Sequence, residues 1–381
     1  IKLKLQITII NYFILEYKMK NIIDYSKTNL YTFSEKRFNN VDSLILSQLS
    51  YINFDNLVGS ITANKSPITF KDLLNQKYFN KIFNTIPYSK ETKELLFYIS
   101  SNPRFRNIKI NYYISKSDVA FEKQFSATTF ILNENLAYIA FRGTDYSLIG
   151  WKEDFNMSFI TPVPSQLEGI DYINKVSKLI SCEFYIGGHS KGGNIAIYAS
   201  MYCNPEASSK IKKIFSHDSP GFKEEIIKSN EFKFIKNKII KTIPGSSLIG
   251  MMFENNENYY IVKSNKLGGL QQHNPFSWQV SNFDFIYLKE ISSNSKYTCK
   301  ALNTWIKKID NKKRKLFVES LFNAISCTNC KNFIELFHNW NKNFPIILKS
   351  LSNLDKEIKT MIILLFKDLL NLYIKIITHN E

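Results

Sequence analysis

Hydrophobic and polar positions change rhythm three times along this chain, and each rhythm predicts a different kind of element. Across residues 19–105 the pattern is helical and aromatic. It is clearest over residues 41–51, and it predicts an amino-terminal helical cap packed on the core. The character then changes: residues 126–132 and 137–141 read as a hairpin turned at Asn133-Glu134-Asn135. Strands and helices alternate from there. An amphipathic helix over 165–180 follows the breakers Pro162 and Pro164, and a short buried strand over 183–186 leads to a small-residue core helix over 194–201. Further strands are expected over 211–215, 238–242 and 259–262. Such an order predicts an α/β fold with a mainly parallel sheet and crossover helices. Beyond about 290 the strand signals stop. Residues 304–325, 333–340 and 354–377 have helical periodicity with lysines on the polar face. A main domain over 19–290 with an all-helical carboxy-terminal appendage over 291–381 is the expected organisation, without internal repeats or low-complexity linkers.

Composition narrows this picture. The 381 residues are 44% hydrophobic, a globular value, and carry a formal charge of +17. The excess is nearly all lysine, the only arginines being Arg37, Arg104, Arg106, Arg142 and Arg314. Abundant Lys, Ile and Asn together look like A+T-rich coding bias, so the charge reads as a solvated basic surface, with weak attraction to an anionic membrane as the alternative. No recognition motif supports nucleic-acid binding. The five cysteines, Cys182, Cys203, Cys299, Cys327 and Cys330, are odd in number and scattered, which favours a reducing compartment over a disulfide framework. Cys327-Thr328-Asn329-Cys330 has C-x-x-C spacing but lacks a second ligand pair, so neither a metal nor a cofactor is expected. Residues 1–18 hold an apolar run without a small-residue cleavage site and precede Met19, and they read as a non-native upstream extension. No run reaches the roughly 18–20 apolar residues needed to span a bilayer, and a soluble, cytoplasmic protein is expected.

The chemistry concentrates at Gly188-His189-Ser190-Lys191-Gly192, a G-x-S-x-G sequence between the predicted strand 183–186 and the predicted helix 194–201. A serine on a tight strand-to-helix turn needs neighbours without side chains for the backbone to close, and Gly188 and Gly192 supply that. The helix amino terminus would bring partial positive charge and free N–H groups to a developing oxyanion. A serine hydroxyl also needs a base held by a carboxylate. Of the five histidines, His189 adjoins the serine, His217 lies at a strand end, and His338 and His379 lie in the helical tail. His273, in a loop after the last predicted strand, fits the order nucleophile, acid, base. For the acid, Asp218 follows the strand 211–215 at the carboxyl end of the sheet, where open α/β sheets place their sites. The usual position, one strand later, falls in Pro244-Gly245-Ser246-Ser247, which offers no carboxylate before Glu254, the alternative acid. Two N–H donors for an oxyanion are expected at Lys191, after the nucleophile, and at Thr144, in the Phe141-Arg142-Gly143-Thr144 strand end.

Phe141-Arg142-Gly143-Thr144 with Trp151 and Asp154, followed by Gly188-His189-Ser190-Lys191-Gly192-Gly193, resembles the F-R-G-T and G-H-S-x-G-G signatures of class 3 lipases. More closely, Phe141–Asp145, Gly150–Asp154, the Ser190 elbow, Asp218–Phe222 and Gln272–Trp278 together resemble the Mbeg-like family of bacterial α/β hydrolases, over about residues 19–340. The resemblance implies the α/β-hydrolase fold and an esterase or lipase activity, without naming a substrate. The chain departs from the class 3 lipase pattern in lacking an aspartate near Ser246 and Ser247. The leading reading is a serine hydrolase cleaving a small-molecule or lipid acyl ester. A thioesterase, peptidase or acyltransferase on the same triad is an alternative, as is a catalytically weak hydrolase fold that binds a lipid or protein partner.

Overall fold

A computed structural model describes residues 20–63, 65–75, 79, 82, 83, 86–253, 258–352, 354–364 and 367. The expected upstream extension over residues 1–18, the alternative acid Glu254 and much of the last predicted helix lie outside these residues. The framework is a nine-stranded sheet whose spatial order follows the chain: β1 (Ile68–Thr69), β2 (Lys109–Asp118), β3 (Lys123–Asn133), β4 (Leu136–Phe141), β5 (Glu183–His189), β6 (Ile211–His217), β7 (Ile239–Pro244) and β8 (Tyr259–Val262). A small hairpin of β9 (Val280–Ser281) and β10 (Asp284–Phe285) precedes β11 (Tyr287–Leu288), which closes the far edge against β8. Strands β1 to β4 pair antiparallel, whereas β4 to β8 pair parallel.

Because the parallel strands are laid down in sequence order, right-handed crossovers place their helices on one face of the sheet. The principal helices in chain order are α1 (Ile22–Thr28), α2 (Asn40–Leu49), α3 (Ser89–Ser101), α4 (Leu148–Asn156), α5 (Pro164–Leu179) and α6 (Lys191–Tyr202). Helices α5 and α6 cover the crossover face, packing Tyr172, Ile173, Ile195 and Ala199 on Ala137, Ile139, Phe141 and Ile186. The opposite face is left for the amino-terminal segment. There α1, α2 and α3 bury Tyr138, Ala140 and Phe215. Helix α2, read in the sequence as amphipathic, is buried over all of residues 41–49, because it lies between the sheet, α3 and the β9–β10 hairpin. Its polar residues are used there: Ser43 and Ser47 bond the Tyr138 hydroxyl at 2.8 and 2.9 Å, and Asp42 pairs with the buried Arg104 at 2.5 Å.

The loop after β8 carries α7 (Gly269–Gln272), and past β11 come α8 (Ser293–Lys308), α9 (Asn311–Ser326), α10 (Phe333–His338) and α11 (Trp340–Ser350). Phe317, Phe322, Phe333 and Phe337 of the terminal helices form a separate core with Leu148, Trp151, Phe155 and Phe159 of α4 and the residues after it. The sheet order, the crossovers and a strand-to-helix elbow between β5 and α6 together make this an α/β-hydrolase fold.

Candidate active site

Ser190 occupies the turn between β5 and α6 at φ 58° and ψ −133°. A side chain in the positive-φ region is strained, and such strain concentrates at functional sites. The flanking glycines allow the turn: a Cβ on Gly192 would overlap the Phe141 carbonyl, and one on Gly188 would overlap Gly192. The amide of Ser190 donates to the His217 carbonyl at 2.9 Å, tying the elbow to β6.

One residue past β6, Asp218 is fully buried, also at positive φ (45°), and its amide donates to the Thr242 carbonyl at 2.7 Å. Its Oδ2 lies 2.6 Å from His273 Nδ1. Its Oδ1 accepts from the Ser247 hydroxyl at 2.5 Å and from the Gly250 amide at 3.1 Å. The loop after β7, which has no aspartate, therefore supplies donors to a carboxylate reaching across from β6. His273 ends α7 in a loop fixed by Gln272, whose side chain accepts from the Ser246 amide and donates to the Lys266 carbonyl, and by the buried Trp278, whose indole donates to the Gln272 carbonyl. Since a carboxylate only accepts, Nδ1 carries the proton and Nε2 is left as the acceptor.

The His189 ring, next to Ser190, is 4.5 Å from that of His273, so the loop carrying His273 lies against the elbow. His189 is buried, and burial, followed by the neighbouring His273 and His217, holds its basicity well below the usual histidine range. His217 is a core residue: Nε2 bonds Ser43 at 2.8 Å, Nδ1 bonds Thr242 at 2.7 Å, and burial lowers its pKa to about 3.

The end of β4 lies against the same turn. A Cβ on Gly143 would sit 2.6 Å from the His189 carbonyl and 3.2 Å from Ser190 Cβ, and the next residue is Thr144. The Thr144 hydroxyl donates to Asp154 Oδ2 at 2.5 Å, and burial pushes the Asp154 carboxyl up to about 6. Lys191 opens α6 directly after Ser190, and its side chain turns inward to Glu153 at 3.0 Å. Of the expected residues, then, Asp218 and His273 are in direct contact, and Ser190, Lys191 and Thr144 stand on elements that meet at the elbow. Sequence reasoning did not single out the role of Ser247, because its bond to Asp218 joins residues distant in the chain. Among the described residues no cluster of His, Cys, Asp and Glu could hold a metal ion.

The Mbeg1-like family model matches residues 99–323, more than half of the chain. This chain belongs to the Mbeg1-like family. The Mbeg1-like segment contains Thr144, Ser190, Lys191, Asp218 and His273, whereas α1 and α2, which cover one sheet face, precede it. No curated protein matches the chain. Among solved structures, the Rhizomucor miehei lipase in its native propeptide complex is 16% identical, with 59% of this chain and 73% of that chain covered at a TM-score of 0.34. A deletion mutant of the same lipase complex is 18% identical, with 49% of this chain and 63% of the mutant chain covered at 0.32, so the match spans less than two thirds of the mutant chain's length. Lip2 lipase from Yarrowia lipolytica is 10% identical, with 68% and 87% covered at 0.35. These likenesses are too loose to bear on what this Mbeg1-like protein does.

Proposed function

We propose that this protein is a serine hydrolase that cleaves carboxylic esters, lipid acyl esters among them, through an acyl-enzyme. The reading is carried by one observation: a serine held in a strained elbow, next to His189 whose ring is 4.5 Å from that of His273, while His273 Nδ1 lies 2.6 Å from a buried aspartate. Ser190 Oγ attacks the acyl carbonyl while His273 Nε2 takes its proton. The carbonyl π pair moves to oxygen, and the backbone N–H groups of Lys191 and Thr144 receive the oxyanion. Collapse re-forms the carbonyl and breaks the bond to the alcohol oxygen, which takes the proton from His273. Water then attacks the Ser190 ester, giving its proton to His273, and the second collapse frees the carboxylic acid and returns the proton to Ser190 Oγ. Asp218 keeps the imidazole in the required tautomer and stabilises the imidazolium.

Among the described residues no helix is long and apolar enough to cross a membrane. The five scattered cysteines favour a cytoplasmic setting, and the charge of +17 reads as a solvated basic surface, with weak attraction to an anionic membrane as the alternative. Treating the purified protein with a fluorophosphonate and assaying p-nitrophenyl esters of graded chain length tests the activity. Ser190→Ala is expected to lose labelling and to lower turnover by about 10⁴–10⁶ at unchanged melting temperature. Wild-type labelling and turnover in that variant would remove Ser190 from the mechanism.

A further inference from the structure

Beneath the elbow lies an ion pair that the reaction scheme does not use. The Lys191 side chain is 1% exposed and that of Glu153 0%. Lys191 Nζ donates to Glu153 Oε2 at 3.0 Å, to the Gln124 carbonyl at 2.9 Å and to Gln124 Oε1 at 3.0 Å, so its donors are all engaged. Glu153 in turn accepts from the Gln124 amide at 3.0 Å, and from the Ser165 amide and hydroxyl at 2.8 and 2.6 Å. The pair thus joins the first residue of α6 to α4, to the start of β3 and to the start of α5. Burying two charges is costly, and well-packed apolar residues of similar volume commonly match or exceed the stability of such a pair. Its geometry fits a different purpose. Lys191 carries one of the proposed oxyanion donors on its own backbone. Glu153 is followed in α4 by Asp154, which holds the hydroxyl of Thr144, the residue carrying the other donor. Lys191 Nζ is also 4.0 Å from Asp154 Oδ1.

We propose that Lys191 and Glu153 are positioning residues, whose buried pair sets the spacing of the two N–H donors by tying α6 to the helix that anchors Thr144. This rests on the hydrolase reading above, and it adds a role for side chains that never touch the substrate. Donor placement matters more in the transition state than in the bound ester, so losing the pair lowers kcat more than it changes KM.

The test is the double variant Lys191→Met with Glu153→Met, assayed on a p-nitrophenyl ester and titrated with a trifluoromethyl ketone, whose serine adduct places an oxyanion between the donors. It is expected to melt several degrees below wild type, because the Gln124 and Ser165 groups lose their partners, and to keep KM within a few-fold once folded. Its kcat should fall about 10²–10³-fold, with a parallel loss of affinity for the ketone. Wild-type kcat and ketone affinity in the folded double variant overturn the proposal, leaving the pair a packing feature. If the double variant does not fold, Glu153→Gln, which keeps the shape and one acceptor oxygen, bears the same comparison, and wild-type kcat there overturns it equally. An inert wild-type protein, unlabelled by fluorophosphonate, defeats the hydrolase reading itself and is seen before any variant is made.

Discussion

Asp218 has a left-handed backbone and a carboxylate with three partners, so each of its contacts can be removed separately. Asp218→Asn keeps the shape but replaces the acceptor facing Nδ1 with an amide that supports the wrong tautomer, and turnover is expected to fall by roughly 10⁴ with little change in fold. Ser247→Ala removes only one of the donors to Oδ1, and a loss of about tenfold is expected, the size of one hydrogen bond to a charged group. Steady-state kinetics of the two variants at matched melting temperature check the order, and equal losses would count against Asp218 as the acid. Here the sequence left two candidates open. Asp218 and Glu254 both follow strands, and the chain pattern holds no record of which carboxylate bends toward His273. What decides the contact is the fold: Asp218 and His273 are 55 residues apart, and Ser247 and Asp218 are 29 apart.

The elbow shows how differently two glycines act within their elements. At Gly192 a methyl group has nowhere to go, because the Phe141 carbonyl fills its space, so Gly192→Ala should prevent β4, β5 and α6 from meeting and should yield protein that neither folds nor labels. Gly268, before α7, has φ 93° and nothing within 4 Å of an added Cβ. With ψ at 151° this is a backbone region that side chains scarcely adopt, so Gly268→Ala should cost about 1–3 kcal/mol of strain, with labelling retained. Thermal melts and fluorophosphonate labelling of both variants check this, and a well-folded, labelled Gly192→Ala would refute the steric argument. Elements with a clean period were legible in the sequence: the β3–β4 hairpin, β5 through β8 and the helix α5. Strand β2 was not, because its register slips between Asn111 and Ile114 and Tyr112 turns to φ 53°, which breaks the alternation. The single helix read over 304–325 is in fact two helices, α8 and α9. The break falls at Asp310, whose side chain accepts from the Lys313 amide and caps the second one.

For the whole molecule, the buried histidines make acid the expected weakness. His217 has a folded pKa of about 3, below the usual 6.5, so in the window between those values the unfolded chain binds a proton that the native protein refuses. Its contribution is complete above 6.5 and declines as pH falls, by about 1.4 kcal/mol per unit well inside the window. His189 acts in the same direction, whereas Asp154, raised to about 6, binds its proton early and works against the decline. Comparing wild type with His217→Asn isolates one site. The variant should be less stable at pH 7, yet should lose about 2 kcal/mol less than wild type between pH 7 and pH 5, as read from urea unfolding at each pH. Parallel losses would show that His217 titrates normally. The terminal helices add a constraint of another kind. Phe333 donates its amide to the Tyr146 carbonyl at 3.2 Å, Ser147 and Asn332 form a bridge, and Asn303 donates to the Met251 carbonyl beside the loop that steadies Asp218. The helices that follow the sheet therefore brace the loop after β4 and the loop after β7. A chain made from its amino terminus presents Ser190, Asp218 and His273 before Asn303, Asn332 and Phe333, so the proposed triad emerges ahead of the contacts that would brace its loops.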